Sequence, residues 1–261
     1  MGISRVHSCN SILDLGRKEK LQFVFKDSYE EMSAAVADLI AEQIKQKPNS
    51  ILGLATGSTP IGAYDCLADL CKCRDISFSE IETFNLDEYV GLAPDNVQSY
   101  RYFMNERLFK SIDIEIEKTH VLDGLATDAD KVCADYERAI DEAGGIDLQL
   151  LGLGHDGHIG FNEPADEFPP FTHKVELEAS TIAANSRLFN SIDEVPRFAY
   201  TMGIGTIMKA KKIILAASGA DKAEIVAKAF KGEIKPQIPA SILQSHPDCT
   251  IVLDKSAAIN L

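Results

Sequence analysis

The 261-residue chain lacks any apolar run approaching the ~20 residues that cross a bilayer. Its first 20 residues contain only scattered apolar side chains, without the continuous apolar segment of a secretory signal. Both absences argue against a membrane protein or a secreted one. We therefore expect a cytoplasmic protein.

Basic residues are scarce, since 26 Lys and Arg stand against 40 Asp and Glu, for a net charge of −14. Neutralising the phosphates of a nucleic acid requires a basic surface, so the composition argues against a nucleic-acid partner. A small anionic substrate remains compatible, because a local pocket can be positive on an acidic protein. Any phosphate site must then be built from a few well-placed groups.

The six cysteines show no complete metal-binding pattern. Cys66, Cys71 and Cys73 cluster, but a fourth zinc ligand at suitable spacing is missing, and the first two fall in a helical pattern. In a cytoplasmic protein free thiols are the expected state. We predict buried thiols and no metal here.

Short apolar runs alternate with longer amphipathic stretches. The pattern predicts strands at 21–27, 50–55, 81–86, 146–154, 198–203, 211–219 and 249–254, and helices at 28–48, 60–73, 99–110, 128–145 and 221–230. Near-continuous apolar strands between helices indicate an α/β fold, an open, mostly parallel, doubly wound (Rossmann-like) sheet with helices on both faces.

The chain shows no internal repeat, low-complexity tract or linker. Residues 1–261 are therefore expected to form a single domain. The Pro-rich stretch at 163–175 is a candidate active-site lid within it.

Unusual polar clusters follow four of the predicted strands. They are ATGSTP after 50–55, DEY after 81–86, GHDGH after 146–153 and SGADK after 211–217. In open parallel sheets the carboxyl ends of the strands share one edge, and ligands bind in the crevice there. We therefore expect the clusters to converge on one site.

Two of the clusters have the chemistry of an anion site. Gly57, Ser58 and Thr59 lie between a strand and a helix, where free backbone N–H groups bind anions, although a simple capped turn is the alternative. Lys222 begins a helix, which is unfavourable for a cation, so it is a candidate phosphate ligand or else a solvated lysine. Arg187, in an apolar neighbourhood, suits bidentate phosphate contact.

The stretch LGLGHDGHIGFNEP, residues 151–164, permits three interpretations. Its G-x-G-x-x-G pattern resembles a nucleotide loop, but prolines follow where a helix would have to start. His155, Asp156, His158 and Glu163 could bind a metal, but the helical scaffold of H-E-x-x-H is missing. The third interpretation is a metal-free acid–base relay.

The relay needs a histidine held by one carboxylate, with a second carboxylate nearby. Asp156, His158 and Glu163 supply these groups. Asp87 follows a neighbouring strand, where a lone carboxylate commonly caps a turn. If the clusters converge, Asp87 instead becomes a candidate general base.

The blocks GLATGSTP, FNLDEYVGL, LGLGHDGHIGFNEP, ANSRLF and GADKA, in this order and spacing, closely resemble the glucosamine-6-phosphate deaminase (isomerase) family. The similarity runs from about residue 21 to 254. The wider superfamily includes 6-phosphogluconolactonases, which share a phosphate loop and an Asp-Gly-His motif. The NLDEY and GFNEP blocks resemble the deaminase branch.

The resemblance implies conversion of glucosamine 6-phosphate to fructose 6-phosphate and ammonia, with neither metal nor cofactor. It implies that His158 opens the sugar ring, oriented by Asp156 and Glu163, and that Asp87 moves a proton between C2 and C1. It implies a phosphate site formed by Thr56, Gly57, Ser58, Thr59, Arg187 and Lys222. His155 receives no catalytic role.

The sequence departs from the family in three places. Residues 1–20 have no counterpart in the resemblance, and the chain ends soon after IVLDKSAA, whereas allosteric hexamers of the family continue. The segment after Asn-Glu-Pro is acidic, where those hexamers bind N-acetylglucosamine 6-phosphate with basic residues. We therefore expect a monomer or small homo-oligomer that lacks this activation.

Two other functions stay open at this point. A lactonase would hydrolyse 6-phosphogluconolactone and release no ammonia. A non-catalytic sugar-phosphate sensor is the second, although sensors of this kind carry a basic DNA-binding module.

Overall fold

The computed structural model describes residues 21–178, 182–183, 186, 189 and 191–261. The strands in this part of the chain are β1 Leu21–Lys26, β2 Ile51–Leu54, β3 Glu82–Asn85, β4 Asp87–Tyr89, β5 Thr119–His120, β6 Leu148–Leu151, β7 His173–Glu176, β8 Phe198–Thr201, β9 Lys212–Ala217 and β10 Cys249–Asp254. The helices are α1 Tyr29–Gln46, α2 Ile61–Lys72, α3 Tyr100–Arg107, α4 Ala129–Glu142, α5 Ile204–Met208 and α6 Ala223–Lys231.

Helix α1 begins at a side-chain cap on Ser28. Ser28 accepts a hydrogen bond from the backbone N–H of Glu31 at 3.3 Å. The Glu31 carboxylate turns back and accepts from the N–H of Asp27 at 3.0 Å, one residue before the cap itself. The Ser28 bond satisfies a donor that the first helical turn leaves free, and the Glu31 bond holds the residue that precedes the cap.

Seven strands form a parallel sheet in the order β1-β10-β9-β6-β2-β3-β5. Every residue of β2 and β6 is buried, as expected for strands covered on both faces. The predicted doubly wound α/β fold is thereby confirmed. Among the described residues no helix is both long and apolar enough to span a membrane.

The strand order reverses between β2 and β6. From β2 the chain builds β3 and β5 on one side, and from β6 it builds β9 and β10 on the other. Right-handed crossovers running in opposite directions put their helices on opposite faces of the sheet. The reversal also separates the loops that follow β2 and β6, which opens a crevice at their carboxyl ends.

A second, smaller sheet was not anticipated from the sequence. Strands β4, β8 and β7 pair antiparallel, so the apolar run predicted as a strand at 198–203 lies outside the main sheet. Tyr89, Phe161 and Ala199 belong to a separate small apolar cluster that this sheet helps to form. Residues 173–175 of the candidate lid belong to β7, and lid motion stays a prediction.

Candidate active site

A cavity of about 370 Å³ opens at the carboxyl ends of the central strands. The four polar clusters that follow β2, β3, β6 and β9 all contribute to its walls. Its lining residues are Ala55, Thr56, Gly57, Ser58, Thr59, Leu86, Asp87, Tyr100, Gly152, Leu153, Gly154, His155, Asp156, His158, Gly160, Phe161 and Lys222. The clusters thus meet in the crevice at the reversal of strand order.

Asp87 is the buried acid of this cavity. Its residue is only 6% exposed, and its Oδ1 has no hydrogen-bond partner among the described residues. Burial raises the pKa of this carboxyl, and the neighbouring negative charge of Glu88 raises it further, to about 8. The group can therefore exchange a proton near neutral pH.

His158 is held by Asp156. The ring Nδ1 lies 2.6 Å from Asp156 Oδ1, and the same oxygen accepts the backbone N–H of His158 at 3.0 Å. The ring contact is not a linear hydrogen bond, since Nδ1 lacks a partner when angles are considered. Burial raises the pKa of Asp156, but its contacts with His158 outweigh this and lower it overall. Asp156 therefore remains a carboxylate, and Nε2 of His158 is left for a substrate proton.

The turn at residues 154–158 packs closely around the ring of His158. Gly154 donates its N–H to the carbonyl of His158 at 2.9 Å. A Cβ on Gly154 would lie 2.3 Å from ring atoms of His158, far inside contact distance. Glycine is needed here so that the backbone can pass the ring.

The phosphate-loop candidates, residues 56–59, are anchored by a tyrosine that the sequence did not single out. The hydroxyl of Tyr29, from α1, lies 3.1 Å from the carbonyl of Ser58 and 3.2 Å from that of Thr59. It also accepts the N–H of Gly62 at 2.9 Å. The loop therefore meets the start of α2 in a fixed conformation, with Gly57 at a φ of 98°.

Lys222 reaches the cavity from the turn after β9. Burial lowers the pKa of its ammonium group, while Asp221 and Asp156 act in the opposite direction. Asp254, at the end of β10, accepts hydrogen bonds from the Ser218 hydroxyl and the N–H of Gly219. These contacts hold the turn that carries Lys222.

Two predicted site residues are not placed in the cavity. Glu163 is not among its described lining residues, and Oε2 of Glu163 accepts the backbone N–H of Glu178 at 3.0 Å. Arg187 lies outside the described residues. Their predicted roles stay predictions.

Aromatic side chains form a wall that the sequence did not reveal. Tyr100 is the first residue of α3, and Phe161 lies in the GFNEP block that follows β6.

 Their rings stack 6.0 Å apart with planes 9° from parallel, and the Tyr89 ring lies 4.8 Å from that of Tyr100. Tyr100 and Phe161 both line the cavity, together with Asp87.

The described thiols and acids form no metal cluster. Among the residues in the structure, no three His, Cys, Asp or Glu side chains are grouped as metal ligands. Cys66, Cys71, Cys73, Cys133 and Cys249 are all free thiols, of which only the last two are buried. The expectation of buried thiols at 66, 71 and 73 was therefore wrong, because the first two are half-buried and the third is exposed at the end of α2.

The sequence profile of the family described as glucosamine-6-phosphate isomerases/6-phosphogluconolactonase matches residues 26–252. The chain belongs to this family. A glucosamine-6-phosphate deaminase of Thermoanaerobacter pseudethanolicus is 52% identical over 238 residues, which cover 91% of this chain and 94% of that protein. One of Lachnoclostridium phytofermentans is 56% identical over 225 residues, covering 86% and 95%.

Solved structures of the same isomerase/lactonase family agree with the fold. A monomeric glucosamine-6-phosphate deaminase superposes with a TM-score of 0.89 at 45% identity, covering 92% of this chain and 100% of that one. A 6-phosphogluconolactonase from Trypanosoma brucei superposes with a TM-score of 0.72 at 23% identity, covering 93% and 99%. The second likeness concerns the fold alone.

Proposed function

We propose that this chain is a glucosamine-6-phosphate deaminase, which converts glucosamine 6-phosphate to fructose 6-phosphate and ammonia. The observation that carries the proposal is the Asp87 carboxyl, buried in the cavity wall with Oδ1 unpartnered. A buried carboxylate without a partner is costly, and a substrate amino group can supply the missing cationic donor. A lactone substrate offers no such group. The curated relatives at 52% and 56% identity support the same reaction.

Ring opening is assigned to His158. With Nδ1 facing the Asp156 carboxylate, Nε2 can take the proton of the anomeric hydroxyl and return one to the ring oxygen. Asp156 stabilises the imidazolium that forms in between. Glu163 is proposed to assist the orientation of this pair, as the sequence motif implies.

Proton transfer in the open-chain sugar is assigned to Asp87. The carboxylate removes the proton from C2, which gives an enolamine, and then delivers that proton to C1. The imine that forms at C2 is hydrolysed by water, which gives the ketose and releases ammonia. A pKa of about 8 makes Asp87 a stronger base than an exposed aspartate. Its buried position also keeps the reacting carbon away from bulk water.

The phosphate is assigned to the opposite end of the cavity. Backbone N–H groups and hydroxyls of Thr56, Gly57, Ser58 and Thr59 would bind its oxygens at the start of α2. Lys222 supplies positive charge, and Arg187 is proposed as a further ligand. A few such groups suffice for an anionic sugar on a chain with a net charge of −14.

We also propose that the enzyme works in the cytoplasm as a monomer or small homo-oligomer. The free thiols among the described cysteines support a reducing compartment. The 45% identical structure is that of a monomeric deaminase, which supports the low oligomeric state. Its substrate is then its principal partner.

The decisive experiment measures ammonia released from glucosamine 6-phosphate, with and without a chelator. We expect release in both conditions, and none from the controls Asp87→Asn and His158→Gln. The Asp87→Asn protein should still bind fructose 6-phosphate in calorimetry. Hydrolysis of 6-phosphogluconolactone without any ammonia release would instead identify a lactonase, and binding without turnover of either compound would identify a sensor.

A further inference from the structure

Glu88 is a buried carboxyl that the proposed reaction does not use. It is only 2% exposed, and it follows Asp87 directly on β4. Successive side chains of a strand point to opposite faces, so Glu88 lies behind the strand when viewed from the cavity. It is not among the described residues that line the cavity. Two buried acids are thus adjacent in sequence and point to opposite faces of β4.

The carboxyl of Glu88 accepts three backbone hydrogen bonds. Oε1 accepts the N–H groups of Tyr89 and Tyr100, and Oε2 accepts that of Arg101, each at 2.9 Å. All three partners are donors, which is the pattern of an ionised carboxylate. Burial raises the pKa of Glu88 overall, although these three N–H groups and the charge of Arg101 oppose that shift and favour the ionised form.

Glu88 completes the capping of α3 from a neighbouring strand, because it accepts the N–H groups of the first two helical residues. Ser99 already caps α3, since its hydroxyl accepts the N–H of Tyr102 at 3.0 Å. The guanidinium of Arg101 is turned away to Thr119, whose hydroxyl and carbonyl it contacts at 2.6 Å. Glu88 therefore joins the strand of Asp87 to the first residues of the helix that carries Tyr100.

We propose that Glu88 is a positioning residue for proton transfer: it ties the strand of Asp87 to the start of α3 and keeps a second buried negative charge beside Asp87. This inference rests on the proposed function for its kinetic consequence. The strand that carries Asp87 and the helix start that carries Tyr100, both of which line the cavity, then move as one unit. The charge behind Asp87 makes it a stronger base without touching the substrate.

Glu88 is the charged neighbour that matters for the titration of Asp87. Tyr64 on α2, Tyr100 on α3 and Tyr136 on α4 also interact with Asp87, but burial raises the pKa of each phenol, so all three stay neutral. Glu88, the next residue on β4, is therefore the charged group that contributes to the raised pKa of Asp87, in addition to burial.

The test compares Glu88→Gln with Glu88→Asp. Gln keeps the shape and removes the charge, whereas Asp keeps the charge and shortens the reach. The matched control is Glu82→Gln on β3, whose carboxylate contacts His120 instead. The titration midpoint of Asp87 is followed by carbon-13 NMR of labelled aspartate, assigned with Asp87→Asn, together with amide hydrogen exchange of Tyr100 and Arg101.

We expect Glu88→Gln to lower the titration midpoint of Asp87 by about one pH unit. The acidic limb of the pH profile of kcat/KM, where Asp87 ionises, should shift by the same amount. Glu88→Asp should keep the midpoint within about half a unit but speed exchange at the Tyr100 and Arg101 amides roughly tenfold. An unmoved midpoint in Glu88→Gln would overturn the proposal. If that variant does not fold, unchanged amide exchange in Glu88→Asp overturns it.

NMR and hydrogen exchange need no substrate, so these results stand even if the deaminase assignment fails. A protein without ammonia release but with the expected midpoint shift would contradict the proposed function only. Ammonia release with an unmoved midpoint would contradict the role of Glu88 only.

Discussion

His155 lies between Lys222 and Asp221, with Nδ1 3.2 Å from Nζ of Lys222 and Nε2 2.7 Å from Oδ2 of Asp221. These partners fix the tautomer, because Nε2–H donates to the carboxylate while Nδ1 accepts from the ammonium group. The family resemblance implies no catalytic role for His155. In the structure it contacts the lysine proposed to bind phosphate.

Loss of this contact should weaken phosphate binding. His155→Ala frees Lys222 to adopt other rotamers, so we expect the dissociation constant for fructose 6-phosphate to rise about threefold to tenfold, as for one lost hydrogen bond. The change in kcat should be smaller than about twofold. Calorimetry and steady-state kinetics measure both. Unchanged affinity would show that His155 is only a neighbour of Lys222.

Two of the three glycines just before His158, Gly152 and Gly154, should respond differently to alanine. In Gly154→Ala the new methyl group would overlap the His158 ring, so we expect a lower Tm and a fall in kcat/KM. Gly152→Ala is the matched control for stability, since a Cβ there meets no atom within 4 Å. Thermal unfolding of both variants checks the difference. Equal losses of Tm would mean that the turn, rather than the ring, is the constraint.

Two aspartates each contact a histidine of the cavity, and only one should matter for ring opening. Asp156→Asn removes the charge facing the His158 ring, and we expect kcat/KM to fall about 100-fold or more. Asp221→Asn, the control, faces His155 and should change mainly KM. Ammonia release by the two variants separates these outcomes. A similar fall in kcat for both would refute the division of roles.

Asp87 should reduce stability as the pH rises. Its folded pKa of about 8 lies above the unfolded value, so the stability it contributes is fully present below the unfolded pKa, about 4, and is lost as the pH rises through 8. Asp87→Asn lacks this loss. The Tm of Asp87→Asn minus the Tm of the unsubstituted protein should therefore increase by several degrees between pH 4 and pH 8. Scanning calorimetry at pH 5 and pH 8 is the measurement, and a constant difference would contradict the buried-charge account.

The apolar pattern predicted six of the seven strands of the main sheet, because strands buried on both faces leave continuous apolar runs. It missed β5, which is only two residues long. The small antiparallel sheet escaped, since a three-residue strand such as β4 is too short to show a period. Convergence of Asp87, His158 and Lys222 could be predicted from strand ends alone. The bracing contacts of Tyr29 and Glu88 could not, because they join segments whose proximity only the folded chain defines.

The reversal of strand order has a consequence for the timing of folding. The strand before the phosphate loop and the strand before Asp87 pair with each other, and both come from the first third of the chain. The strand before His158 is β6, which pairs with β2 but lies about a hundred residues later in the sequence. A nascent chain can therefore assemble the loop and its acid before the histidine arrives. Enzymatic activity should therefore appear only after β6 has been synthesised and has paired with β2.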